Sequence, residues 1–180
     1  MSRTAQHLEE RLQALEDREA IRDLDARYCR YLDHGMWDRL VDCFTVDGTF
    51  DGLSVVQGRD ALRDFFASLA SGGLTAFWHH VSNLEITVGT NADTGSARAT
   101  SLLWQPCVLD GVPHVAAGRY EDTLTRTPDG WRYVRKQVRF SYFAPLTQGW
   151  DTHLFTLDTA RAAALPIGDR PDPTTPGSLR

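Results

Sequence analysis

Up to about residue 72 the apolar residues recur every three or four positions, and from Leu74 to Tyr142 they alternate with polar ones. The first spacing belongs to helices that bury one stripe, the second to strands that bury one face. A helical pattern starts at Thr4 with Leu8, Leu12 and Leu15, then resumes out of phase at Ile21, Leu24, Tyr28, Tyr31 and Leu32. This predicts either one long helix broken near Asp17 or an arm followed by the helix proper. Gly35 stops it, because glycine takes the left-handed C-cap conformation without strain. Trp37, Leu40, Val41 and Phe44 predict a short amphipathic helix, after which residues 46–50 turn extended. A small strand at 53–56 lies between Asp51-Gly52 and Gln57-Gly58. Asp60 caps a third helix that buries Ala61, Leu62, Phe65, Phe66 and Leu69 and ends at Gly72-Gly73. Strands are predicted over 79–88, 97–109, 114–126 and 131–142, with a polar turn at 91–95 and hairpin turns at Asp110-Gly111 and Pro128-Asp129-Gly130.

Helices followed by a meander of long antiparallel strands predict an α+β architecture, a strongly curved sheet with helices across its open side. Such a sheet encloses a cavity, where small-molecule sites tend to lie. Residues 1–148 are expected to form this domain with an N-terminal helical arm, and 149–180 a short helix at 157–165 followed by a proline-rich tail. The segment 20–50 sets Tyr28, Asp33 and His34 among core positions and is expected to roof the cavity.

Composition narrows the function. A length of 180 residues suits one domain, and 42% hydrophobic with 24% charged residues is ordinary for a globular chain. A net charge of -5 gives a nucleic-acid partner no electrostatic support. No stretch approaches the ~18 apolar residues of a membrane span, and the polar, acidic N-terminus is unlike a secretion signal. Cys29, Cys43 and Cys107 form neither a disulfide framework nor a CxxC pair, which suits free thiols in the cytoplasm. No cofactor is expected, since phosphate loops and nucleotide fingerprints are absent. His79, His80 and His114 lack metal-ligand spacing.

The ordered set of AIRDLDARYCRYLDHGMWDRLVDCFTVDGTFD, GRDALRDFF, HHVSNLEITV and GRYEDTLTRTPDGWRYVRKQVRFSYFAPL resembles the SnoaL-like branch of the nuclear transport factor 2 superfamily over about residues 15–148. Within the branch it is most similar to cofactor-free lyases, dehydratases and a dehydrochlorinase, with a cone-shaped α+β barrel. The resemblance implies elimination from a compact hydrophobic, possibly polycyclic substrate and a homo-oligomer, a trimer before a dimer. It implies that Tyr28, Asp33, His79 and Arg139 are catalytic. A further acidic position of one relative falls near Gln105, which departs from that pattern.

These residue types suit proton transfer. Histidine titrates near neutral pH, and an aspartate on its far ring nitrogen fixes the tautomer and stabilises the imidazolium. Without the resemblance, His79 reads as a strand histidine satisfied within the fold and Asp33 as a helix-end group, in preference to a catalytic pair. An unbroken strand turns His80 inward together with Ser82, Leu84, Ile86 and Val88; a bulge near Ser82 would turn His79 inward instead. Tyr28 is suited to hydrogen bonding a substrate oxygen or leaving group, and Arg139 to meeting a developing oxyanion. Most aromatic residues belong to the core; Phe50, Trp104 and Tyr120, with His80, are the expected substrate-facing set. The same proton transfers serve a double-bond isomerase or cyclase, and the fold also serves non-catalytic binding modules.

Overall fold

The computed structural model describes residues 3–89 and 95–148. The predicted helix at 157–165 and the proline-rich tail lie outside these residues, as does most of the turn at 91–95.

Helix α1 runs unbroken over Arg3–Asp33. Its first half is exposed, including Leu8, Leu12 and Leu15, while Asp17, Ile21, Leu24, Asp25, Tyr28 and Leu32 are buried. The change of phase near Asp17 therefore marks where the helix meets the sheet, and needs no break. Gly35, at φ 64°, closes the helix, with Met36 N donating to the Tyr31 carbonyl at 2.8 Å. Helix α2 (Trp37–Val41) and strand β1 (Phe44–Asp51) follow, then β2 (Val55–Gln57) and helix α3 (Arg59–Ser71). The strands β3 (Leu74–Phe77), β4 (His80–Val88), β5 (Ser96–Leu109), β6 (Val112–Thr127) and β7 (Gly130–Pro145) complete the described chain, before a 3₁₀ turn at Leu146–Gln148. The sequence pattern predicts one strand over 79–88; the structure adds the separate β3 before it and starts β4 at His80, with Trp78 and His79 between the two.

The seven strands form one curled mixed sheet in the order β2-β1-β7-β6-β5-β3, with β4 also on β5. β3 pairs with the end of β5 and β4 with its beginning, so the two share one edge. Every pairing is antiparallel except that of β1 with β7. The helices cover the inner face, where Ile21, Leu24, Tyr28, Leu62 and Phe66 pack on Phe50, Leu103, Tyr120, Tyr133 and Val138. Three aromatic side chains from β1 and α3, Phe50, Phe65 and Phe66, meet with ring centroids 5.0–5.6 Å apart. Among the described residues no helix is long and apolar enough to cross a membrane.

Candidate active site

Two irregularities place the central pair of side chains. Asp33 is the last residue of α1, and its carboxylate reaches His79, which lines the same cavity as Tyr28 five residues earlier on the helix. In β4 the register shifts between Ser82 and Glu85, and Asn83 has φ 54°. This bulge resets the alternation: Val81, Leu84, Ile86 and Val88 turn toward the core, and His80 and Ser82 are exposed. His79, in the gap before β4, faces inward.

Asp33 holds His79 from two directions. Its oxygens accept the His79 backbone N–H at 3.1 and 3.2 Å, and Oδ1 lies 2.5 Å from Nδ1. The side chains are 5% and 14% exposed for His79 and Asp33. A carboxylate only accepts, so Nδ1 carries a hydrogen, and in the neutral ring Nε2 is the nitrogen with the lone pair. Phe77 packs edge-on against the imidazole, with centroids 5.6 Å apart.

His79 lines a cavity of about 50 Å³ together with Tyr28, Phe50, Phe65, Phe77, Gln105 and Tyr120. Phe50 and Tyr120 thus reach the space expected of them. Tyr28 is 0% exposed, and its hydroxyl has no hydrogen-bond partner among the described residues. Burial first, then the thiol of Cys29 and the carboxylates of Asp122 and Asp25, carry this phenol well above its ordinary 10. It is therefore a hydrogen-bond donor at any physiological pH. Benzene occupies an engineered cavity of ~150 Å³, so the present volume takes no polycyclic compound unless the aromatic walls move apart.

Three expected residues lie elsewhere. His80 is exposed for the reason given above. Trp104, 39% exposed, alternates with the inward Leu103 and Gln105 of β5 and sits on the outer face. Arg139 is also outside: a register shift leaves Val134 as an extra residue in β7, so Lys136, Val138 and Phe140 turn inward in place of Arg135, Gln137 and Arg139. Arg139 instead contacts Asp51 at 3.2 Å, beside Arg135 and Gln137 on the same carboxylate. Asp51 lies below its ordinary range because these hydrogen bonds outweigh the burial that would raise it.

The bulge in β7 brings in a residue that sequence reasoning missed. Lys136 is wholly buried, its Nζ 2.8 Å from Asp122 Oδ2 and 3.2 Å from Asp25 Oδ1. The ammonium also lies 4.1–4.5 Å from the ring centroids of Tyr28, Tyr120 and Tyr133. Burial alone would lower the lysine, but the two carboxylates outweigh it and hold it raised and charged. Burial likewise pushes Asp122 up to about 6 against the pull of Lys136. Two of the caging rings, Tyr28 and Tyr120, also line the cavity, so a fixed charge stands directly behind its wall. The available signal was Asp25, a carboxylate on the apolar stripe of α1 with Ile21, Tyr28 and Leu32. Among the described residues no group of three or more His, Cys, Asp or Glu side chains could hold a metal ion.

Comparison with known proteins agrees with this architecture. An uncharacterized protein of Mycobacterium tuberculosis is 30% identical over 127 residues, covering 68% of this chain and 84% of that one. A nuclear transport factor 2-like protein with a cystatin-like fold from Novosphingobium aromaticivorans superposes with a TM-score of 0.58 at 28% identity, over 88% of this chain and 94% of the other. A hexachlorocyclohexane dehydrochlorinase of type 3 from Novosphingobium barchaimii gives 0.67 at 19% identity, over 75% and 93% of the two chains. The model of the SnoaL-like domain matches residues 13–137, which run from the exposed arm through Lys136 to the β1–β7 joint. The chain therefore belongs to the SnoaL-like domain family of the nuclear transport factor 2-like superfamily.

Proposed function

We propose that the protein is a cofactor-independent lyase that eliminates water or a similar leaving group from a compact, largely apolar substrate. The observation that carries this reading is the imidazole that is held through Nδ1 by Asp33, leaves Nε2 outside that bond and lines an aromatic cavity. Nε2 takes a proton from a substrate carbon. The C–H electrons become the new double bond, and the leaving group departs with the electrons of its own bond. Asp33 stabilises the imidazolium formed. Tyr28, protonated and without a partner among the described residues, donates a hydrogen bond to the departing oxygen or to a carbonyl beside the acidic carbon. When the leaving group is hydroxide, the proton on the imidazolium completes the water. The family's dehydrochlorinase relative performs an elimination by name, which accords with the same step.

The test is a panel of cyclic β-hydroxy ketones and halogenated alicyclic compounds, assayed for the absorbance of the new double bond. Wild-type protein should turn over at least one compound, and His79→Gln should lower its rate by about 10²–10⁴-fold, the usual worth of a positioned base. Turnover retained by a folded His79→Gln protein would remove the base from the scheme.

A further inference from the structure

A second cleft, of about 340 Å³, opens along α1 beside the residues that face the aromatic cavity. Three segments converge on it: Leu24, Arg27 and Tyr31 from α1, Arg39, Asp42 and Cys43 around α2, and Asp129 with Arg132 where β6 turns into β7. The α1 residues stand at i, i+3 and i+7, so they share one face of the helix.

Its charge is unusual for this protein, which carries a net -5. Arg27, Arg39 and Arg132 form no ion pair among the described residues. Asp42 is already engaged by Arg59 at 3.0 Å. Three arginines without an ion-pair partner among the described residues therefore line the cleft against the single remaining carboxylate of Asp129. Two of them are restrained. Arg132 donates from Nη1 to the Trp131 carbonyl at 2.9 Å, and Arg27 is half-buried on the helix. The floor is fixed as well, since the Cys43 carbonyl accepts Tyr133 N at 2.8 Å and its thiol reaches the Arg39 carbonyl at 3.7 Å. Both Arg27 and Arg132 pull the Cys43 thiol down electrostatically, though burial dominates and keeps it up at about 11, inert as a nucleophile. Guanidinium forks match tetrahedral oxyanions, and the volume falls in the usual range for small-molecule sites. Tyr31 adds an apolar flank.

We infer that this cleft is a binding site for a small organic phosphate, with the dianion held by Arg27, Arg39 and Arg132 and the organic group laid against Tyr31. The site is separate from the elimination cavity and stands whether or not that chemistry is found.

The probe is phenyl phosphate, followed by ³¹P NMR shift and linewidth at constant ionic strength, with inorganic phosphate observed in the same way and acetate added as a competitor against phenyl phosphate. Saturable binding is expected in the order phenyl phosphate, inorganic phosphate, acetate. Arg27→Gln and Arg132→Gln should each weaken it about tenfold, the loss of one charge-assisted contact. Arg132→Lys should also weaken it, because an ammonium cannot form the fork. His79→Gln and the distant Arg98→Gln should leave it unchanged. Non-saturating shifts, equal affinity in the Arg27→Gln and Arg132→Gln proteins, or loss of binding in His79→Gln would each overturn the assignment.

Discussion

Replacing Lys136 by methionine is the most informative perturbation of this fold. Methionine keeps much of the stem and deletes the ammonium, leaving Asp25 and Asp122, whose side chains are 8% and 2% exposed, without their cation. Breaking a buried ion pair by removing one partner costs about 3–5 kcal/mol, against a total domain stability of about 5–15 kcal/mol. With a urea dependence of ~2 kcal/mol per molar, the unfolding midpoint at pH 7.5 should fall by about 2 M in circular dichroism at matched protein concentration. The loss should depend on pH. Asp122 sits at about 6 even beside the lysine, and loss of the cation raises it further. An acid raised in the folded state binds more protons folded than unfolded, so its contribution worsens as pH rises above the unfolded value of ~4. The deficit should therefore shrink between pH 7.5 and pH 5. Adding Asp25→Asn and Asp122→Asn to Lys136→Met should restore most of the stability. A deficit below ~1 kcal/mol at pH 7.5, or one that grows on acidification, would refute the account of Lys136 as the buried counter-ion.

Tyr28→Phe removes a buried hydroxyl that lacks a partner among the described residues. It should leave the protein as stable as wild type or up to about 2 kcal/mol more so, while slowing any turnover; a clear fall in melting temperature would show that the hydroxyl is bonded. Gly118→Ala would place a Cβ 2.3 Å from the Arg139 carbonyl and 3.0 Å from Phe140 Cα, both backbone atoms of the neighbouring strand. A loss of about 1–3 kcal/mol is expected, read by thermal unfolding, and an unchanged midpoint would mean the strands separate freely there. Asp17→Ala strands the Trp131 indole N–H, which donates to Asp17 at 3.1 Å, and frees Arg126 from the same carboxylate. It should cost about 1–3 kcal/mol and shift the indole N–H resonance; a resonance that stays in place would exclude the bond.

The positions that sequence made legible are those where one period runs undisturbed. α3, with its aromatic stripe, and the hairpins at Asp110-Gly111 and Asp129-Gly130 are cases where spacing and turn chemistry agree. The inner wall was harder, because each bulge inverts the alternation between the side chains before it and those after it. Asn83 does so in β4, exposing His80, and the extra Val134 does so in β7, exposing Arg139. Lys136 was illegible for a further reason. It stands in the run Arg135-Lys136-Gln137, which reads as solvated, and its partners lie 111 and 14 residues away. Asp33 and His79 were legible only as a resemblance, since 46 residues separate them and only the folded chain shows that they touch.

The parallel joint of β1 with β7 has a consequence for biosynthesis. Phe44 pairs with Tyr133, and Phe50 with Lys136, so the barrel wall closes only when the last long strand exists. On the ribosome, Tyr28 and Asp33 emerge before the strands they pack on, on a helix whose greasy stripe has no closed sheet to rest on until β7 has been made. Such distant strand pairing is slow to form, and nascent chains in that condition are prone to aggregate. Truncation before β7 should therefore yield a chaperone-dependent, insoluble product in place of a smaller working protein.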